Sequence, residues 1–303
     1  MSTTEDTAAE ATGGRIPLTE PIAARRTRRS SPWRVFLRQP STIAFLIVLA
    51  VLAVLSFIGP YFVGSPVDTG SPVLKAPNAD HLMGTDMLGR DYFARVVNGG
   101  RISLFVGFGV AFLCMTIGLV IGGLAGFYGG FLDAALVKIA EFFQVLPGLV
   151  LALVAAALLG SNMWILVVIL AITMWPAVAR IVRAEAMRIS QLGYVESAEA
   201  AGFRGIRIIW SDVMPNAMPP ALVATSMTVG RAILIESGLA YLGIGDANNP
   251  SWGALLNSAQ GYMQTGWWLA VFPGLLIFAA VLAVNILGDR LNDALNPTVG
   301  RVK

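Results

Sequence analysis

Charge is scarce in this chain. Only 13% of its 303 residues are Asp, Glu, Lys or Arg, against roughly a quarter in a soluble domain, which excludes a soluble globular protein. There is one cysteine, Cys114, inside an apolar run, so no intramolecular disulfide can form. There is one histidine, His81, with no second His or Cys near it, and no metal site is expected. No G-x-x-x-x-G-K-[ST] phosphate loop occurs, so the chain is not expected to hydrolyse ATP by itself. No Ser/His/Asp or Cys/His constellation is present, which leaves no catalytic residue to nominate. The net charge of +3 gives no indication of nucleic-acid binding.

What is present is apolar sequence: 56% of residues are hydrophobic and the mean hydropathy is +0.70. A membrane-spanning helix needs about 20 mostly apolar residues. Six runs qualify, at Thr42–Phe62, Ile102–Ala125, Ala134–Leu159, Met163–Ile181, Ala217–Leu242 and Trp267–Leu287. The fold expected is therefore all-α and polytopic, with six transmembrane helices. The gap between the second and third runs is short, and they should form a helical hairpin. Gly118, Gly122, Gly123 and Gly126 give the second run the small-residue spacing that lets helices approach closely.

Lysine and arginine set the orientation. Arg15, Arg25, Arg26, Arg28, Arg29, Arg34 and Arg38 precede the first run. Arg183, Arg188, Arg204 and Arg207 fall between the fourth and fifth, and Arg290, Arg301 and Lys303 follow the sixth. The Gly243–Gly266 loop has no Lys or Arg, and in the Val63–Arg101 loop the basic residues are offset by Asp68, Asp80, Asp86 and Asp91. Both termini are thus expected in the cytoplasm. The start of the chain lacks the pattern of a cleavable signal peptide. Residues 1–31 read as a disordered cytoplasmic tail. Residues 32–63 read as an interfacial helix, with Trp33, Phe36 and Leu37 against Arg34 and Arg38, followed by the first span. Residues 64–100 form an external loop, 101–289 a five-helix core, and 290–303 a cytoplasmic tail.

The most distinctive stretch is Tyr194–Asn216, YVESAEAAGFRGIRIIWSDVMPN. Val195–Ala201 reads as a short helix with small residues at Ser197, Ala198, Ala200 and Ala201. Gly202 ends it, because glycine takes the left-handed conformation readily. Ile206, Ile209, Trp210 and Val213 follow the spacing of one apolar face, with Arg204, Arg207 and Ser211 off it. Pro215 suits the start of the next helix. The plain alternative is an amphipathic loop on the membrane surface.

Glu196-Ser197-Ala198, Gly202 and Pro215 resemble the EAA motif of membrane subunits of bacterial ABC importers, with Ser197 in place of Ala and Asp212 where His is common. A second stretch, His81–Gly107, is similar to the segment before the core in dipeptide and oligopeptide permeases. Gly84, Thr85, Asp86, Leu88, Gly89, Arg90, Asp91, Arg95, Gly99, Arg101, Ser103 and Leu104 carry it, and Ala94 departs. A third, Ile235–Leu255, resembles the family's segment at the end of the fifth span, through Glu236, Leu239, Leu242, Gly243, Gly245, Pro250, Ser251, Trp252 and Gly253. Asn248 and Asn249 depart there.

The resemblance implies the type I ABC importer transmembrane domain fold and a coupling segment over 183–216. It points to Glu196, Ser197, Ala198, Gly202, Arg204, Arg207 and Pro215 as docking the cytoplasmic ATPase. Thr85, Asp86, Arg90, Asp91 and Trp252 fall to an external loop or gate. From the residues, Thr85-Asp86 and Arg90-Asp91 can build a charge-assisted network and cap a short helix, whose apolar side would be Tyr92, Phe93 and Val96. That element reads as a structural plug or docking surface, as a direct substrate contact, or as an ordered loop. Trp252 is expected at the membrane–water interface.

Glu141, Arg231 and Glu236 are ionisable groups in or near spans, where a functional role is the default and structural pairing the alternative. Arg231 and Glu236 are about 140° apart on one helix and poor partners for each other. The partners implied by the resemblance are a homologous second permease, two cytoplasmic ABC ATPase subunits or domains, an extracytoplasmic substrate-binding protein and the lipid bilayer. ATP and Mg would be hydrolysed by the ATPases, with no cofactor bound here, in a bacterial cytoplasmic (inner) membrane. The implied cargo is di- or oligopeptides, with nickel or another small solute as the alternative. A secondary transporter and a non-transporting membrane partner are the remaining rivals.

Overall fold

A chain this apolar satisfies its backbone within helices, because lipid offers the N–H and C=O groups no partner. The computed structural model describes residues 36–37, 39–160, 162–246 and 249–295, and helices dominate them. The expected tail over 1–31, and Trp33, Arg34 and Arg38 of the expected interfacial helix, lie outside the described residues, as do 296–303. Among the described residues the only β pairing is an isolated bridge between Thr85 and Asp91.

The helices are α1 (Pro40–Phe57), α2 (Tyr92–Tyr128), α3 (Gly130–Val145), α4 (Gly148–Leu159) and α5 (Met163–Ser190). Then come α6 (Gly193–Ala200), α7 (Gly205–Ile208), α8 (Met214–Tyr241), α9 (Trp252–Ala259) and α10 (Trp268–Leu295). Five segments are long and apolar enough to cross a membrane, and the pair α3–α4 makes a sixth if it counts as one bent span. That pair is a departure from the continuous span expected at Ala134–Leu159: the helix breaks at Leu146–Pro147 and turns by 80°. Proline has no N–H to donate and pushes the preceding residue out of the α region. Leu146 accordingly sits at φ −70°, ψ 128°.

Helix α2 is longer than its apolar core requires. Its 37 residues span about 56 Å at 1.5 Å per residue, against a hydrocarbon layer of about 30 Å. It starts ahead of the expected Ile102 because Asp91 caps it, accepting a 2.9 Å hydrogen bond from the Ala94 N–H. It ends at Gly129, which takes φ +61°. A π turn at Ile209–Val213 joins α7 to α8 just before Pro215. The Pro215 ring would crowd the carbonyl four residues back in a regular helix, and the wider turn relieves this.

The bundle is organised around α2 and α5, the most extensively packed pair. An added Cβ at Gly122 would lie 2.4 Å from the Ala179 carbonyl, and one at Gly126 2.5 Å from that of Arg183. Only glycine permits this separation. The most apolar stretch of α5 is 61% buried, whereas that of α1 is 17% buried at a mean hydropathy of 2.8. Helix α5 is therefore the centre of the bundle, and α1 is a peripheral helix against α10 and α2. Cys114 is fully buried in the core with Val110 and Val178.

Candidate functional site

The segment after α5 forms a protrusion of two short helices. Val195 on α6 is fully buried and fastens the short helix to the bundle. Glu196, Ser197 and Glu199 face outward. Ser197 bonds back to the Gly193 carbonyl at 2.6 Å. The helix ends in two reverse bonds, Gly202 N–H to Glu199 C=O at 2.9 Å and Phe203 N–H to Ala198 C=O at 3.2 Å. They make a Schellman cap, which requires a left-handed residue at Gly202, and Gly202 has φ +81°. An added Cβ there would meet nothing within 4 Å, so the constraint is on backbone conformation, not on space.

The apolar face expected through Ile206, Ile209, Trp210 and Val213 is not the one formed. Ile208, Ile209 and Val213 are buried, while Ile206 is 50% and Trp210 60% exposed. The bundle takes one stripe, and Ile206 and Trp210, one turn apart, are turned to the outside. Tyr194 and Phe203 are also exposed. The Arg207 guanidinium lies over the Phe203 ring, 4.7 Å from its centre. Arg204 and Pro215 are exposed as well. The base is braced by Arg183 of α5, which grips Asp133 of α3 through both carboxylate oxygens, one of the two bonds measuring 2.6 Å.

At the other end of α2, Asp86 is fully buried. Its carboxylate accepts from the Leu88 and Arg90 N–H groups at 2.8 and 2.9 Å, from Arg90 Nε at 2.7 Å and from Arg95 Nη1 at 2.6 Å. Burial alone would raise its pKa. The Arg90 and Leu88 amides, the Arg90 side chain and the charge of Arg95 outweigh that and hold the carboxyl below its ordinary value. Thr85 donates to the Pro72 carbonyl at 2.6 Å and accepts from Lys75 N–H at 2.8 Å. Trp268 of α10 donates to the Thr85 carbonyl at 3.2 Å. Asp91, besides capping α2, meets His81 Nδ1 at 2.9 Å. The network expected at Thr85, Asp86, Arg90 and Asp91 thus forms, but the capped helix is the long α2 and not a short one.

Trp252 is enclosed by protein at the start of α9. It is 1% exposed, and its indole N–H donates to the Val96 carbonyl at 2.9 Å. Its backbone N–H donates to Ser103 Oγ, which donates to Glu236 Oε2, both at 3.2 Å. Glu236, 2% exposed, also accepts from Ser237 at 3.4 Å and from Ser251. This polar knot fastens α9 to α2 and α8. Glu141 is exposed and paired with Lys138 at 2.7 Å. Arg231 is exposed. It lines a cavity of about 480 Å³ with Arg180, Gln144 and residues on both sides of the α3–α4 break.

The motif resemblances can be set against known proteins. A family model described as "Binding-protein-dependent transport system inner membrane component" matches residues 118–301. The chain belongs to this family. Among relatives of the permease, the glutathione transport system permease protein GsiD of Pectobacterium atrosepticum is 37% identical, over 88% of this chain and 89% of its own length. The dipeptide transport system permease protein DppC of Bacillus subtilis is also 37% identical, over 89% of this chain and 85% of its own. An inward-facing structure of the MetNI methionine ABC transporter superposes with a TM-score of 0.55 and 21% identity, over 66% of this chain and 95% of that one. At that identity the likeness carries the fold alone, that of a type I importer transmembrane domain.

The family match begins at Gly118, partway along α2, and takes in the protrusion and Glu236, Ser237, Ser251 and Trp252 of the knot, while Val96 and Ser103 precede it. Several partners in this permease carry no local signal of their role. Ser103 meets Glu236 across 133 positions, and Trp268 meets Thr85 across 183. Arg180 lies at the end of the fourth apolar run, and the cavity it lines has Leu146 and Gly148, on either side of Pro147, in its wall. The exposure of Phe203 and Tyr194 had no periodic signal in a segment this short.

Proposed function

We propose that this inner-membrane permease imports small peptides as one of two homologous permease subunits around a shared path. ATP and Mg are handled by two ABC ATPase subunits or domains, and this chain binds no cofactor. An extracytoplasmic binding protein delivers the cargo to the face carrying Thr85, Asp86, Arg90, Asp91 and Trp252. Both termini and the 183–216 segment face the cytoplasm. Residues 101–289 act as the core, with 32–63 as an accessory element and 64–100 as an external cap.

The observation that carries this reading is the protrusion at 193–216. It exposes Tyr194, Phe203, Ile206 and Trp210 together beside Glu196, Glu199, Arg204 and Arg207. An apolar surface rimmed by charge on a rigid base is the form of a docking element. Glu196, Ser197, Ala198, Gly202, Arg204, Arg207 and Pro215 are assigned to seating it on the ATPase. Closure of the two ATPases then pushes the segment as a rigid body, and the bundle alternates between outward-facing and inward-facing states. The relationship to permeases whose names specify dipeptide and glutathione transport supports a small peptide as cargo.

The test is purification of the chain from mild detergent with its bound proteins identified by mass spectrometry, followed by peptide uptake in vesicles. An ATPase, a second permease, a binding protein and ATP-dependent uptake of a labelled dipeptide are expected. A chain that purifies alone, or vesicles that take up dipeptide without ATP, would overturn the proposal.

A further inference from the structure

Arg231 carries a charge in mid-span that nothing in the described structure neutralises. It lies on α8, about 21 Å along the helix from Ala217 and about 16 Å from Leu242 at 1.5 Å per residue, well inside a hydrocarbon layer of about 30 Å. Among the described residues it has no hydrogen bond or ion pair. It opens into the cavity of about 480 Å³ that Arg180, Gln144, Thr173 and Gly148 also line, and no Asp or Glu lines that cavity. Arg180 hydrogen-bonds only the neutral side chain of Gln144. The acids of α3 are committed, Glu141 to Lys138 and Asp133 to Arg183, and Glu236 of α8 is held by Ser103 and Ser237. Two guanidiniums, both exposed on the isolated chain, thus line one open cavity with no acid of the described residues beside them, an arrangement suited to an anion supplied from outside this chain.

We propose that Arg231, supported by Arg180, receives the C-terminal carboxylate of the peptide at the bend between α3 and α4. This rests on the reading of the chain as a peptide permease. A small peptide entering the path sheds the water around its carboxylate, and a planar guanidinium replaces that water with two parallel N–H···O bonds. The cavity volume is in the range that holds a small ligand. The site makes the permease itself selective for a free carboxylate, in addition to any selection by the binding protein.

The test uses the complete complex in proteoliposomes, with ATP and with binding protein saturated by each cargo in turn, either labelled Ala-Ala or its C-terminal amide. Arg231→Gln is expected to lower Ala-Ala uptake by about tenfold and amide uptake by less than about twofold. Arg231→Lys, which keeps the charge and loses the fork, is expected to show an intermediate loss for Ala-Ala only. Equal loss of both cargoes, or loss of neither, overturns the assignment, as does failure of both variants to co-purify with the partner subunits. A wild-type complex that imports neither cargo would overturn the peptide reading and this assignment together. A wild type that imports both, with the ratio unchanged in Arg231→Gln, would overturn the assignment alone.

Discussion

Asp86 Oδ2 and Arg95 Nη1 meet at 2.6 Å, with side chains only 1% and 7% exposed. The acid comes from the loop before α2 and the base from the first turn of that helix. The pair therefore ties the loop before α2 to the N-terminal end of that 37-residue helix. Removing one partner of a buried pair leaves the other charge uncompensated, at a cost of about 3 kcal/mol or more. Asp86→Asn should lower the thermal unfolding midpoint of the purified complex in detergent, and Asp80→Asn, with its side chain 84% exposed, should not.

The same pair fixes a pH dependence. The folded-state pKa of Asp86 is lowered, so its contribution is present above the unfolded carboxylate value of about 3.9 and is lost as pH falls through the lower folded value. The difference in unfolding midpoint between wild type and Asp86→Asn should stay constant from about pH 7 to pH 5. It should shrink only below about pH 4. A difference that fades between pH 7 and 6 would contradict the assignment to this carboxyl.

Gly202 separates backbone from charge at the proposed docking surface. Its φ of +81° disfavours most side chains, but Asn tolerates it. Gly202→Asn should retain ATP-driven uptake. Gly202→Asp, of similar shape, adds a negative charge beside Glu199 and should uncouple ATP hydrolysis from uptake while membrane insertion stays intact. Normal uptake by the Asp variant would remove the coupling role from this segment.

Glu236 holds α9 to α2 through Ser103 and the Trp252 backbone. Glu236→Gln keeps an acceptor for the serine hydroxyls, whereas Glu236→Leu strands them at about 1–3 kcal/mol. The Leu variant should unfold at a lower temperature than the Gln variant. If uptake falls equally in both while their midpoints match that of wild type, Glu236 acts in transport and not in holding the knot.

Local rules made the beginnings and ends of several elements legible. Asp91 before an apolar run reads as an N-cap, and Gly202 and Pro215 punctuate the protrusion as their backbone preferences require. The apolar runs located the spans, because only about 20 consecutive apolar residues can cross a bilayer. Leu146-Pro147-Gly148 carried a break signal as well, but hydropathy continues through it, and a test of apolarity alone passes over a missing N–H.

The sequence by itself determined where the apolar runs lie and which residues punctuate the 193–216 segment, since those depend on solvent transfer and on backbone groups a few positions apart, while the start of α2 at Tyr92 and the 80° break at Pro147 departed from the expected bounds. Only the tertiary structure decided that Ile206 and Trp210 face outward while Ile209 and Val213 face in, because the side of a short helix that is buried depends on what packs against it. It also decided that Trp252 and Glu236 are buried together and that Arg231 and Arg180 share one cavity. Those pairs lie 16 and 51 positions apart in the sequence, and they come together only once glycines such as Gly122 and Gly126 have let the helices close.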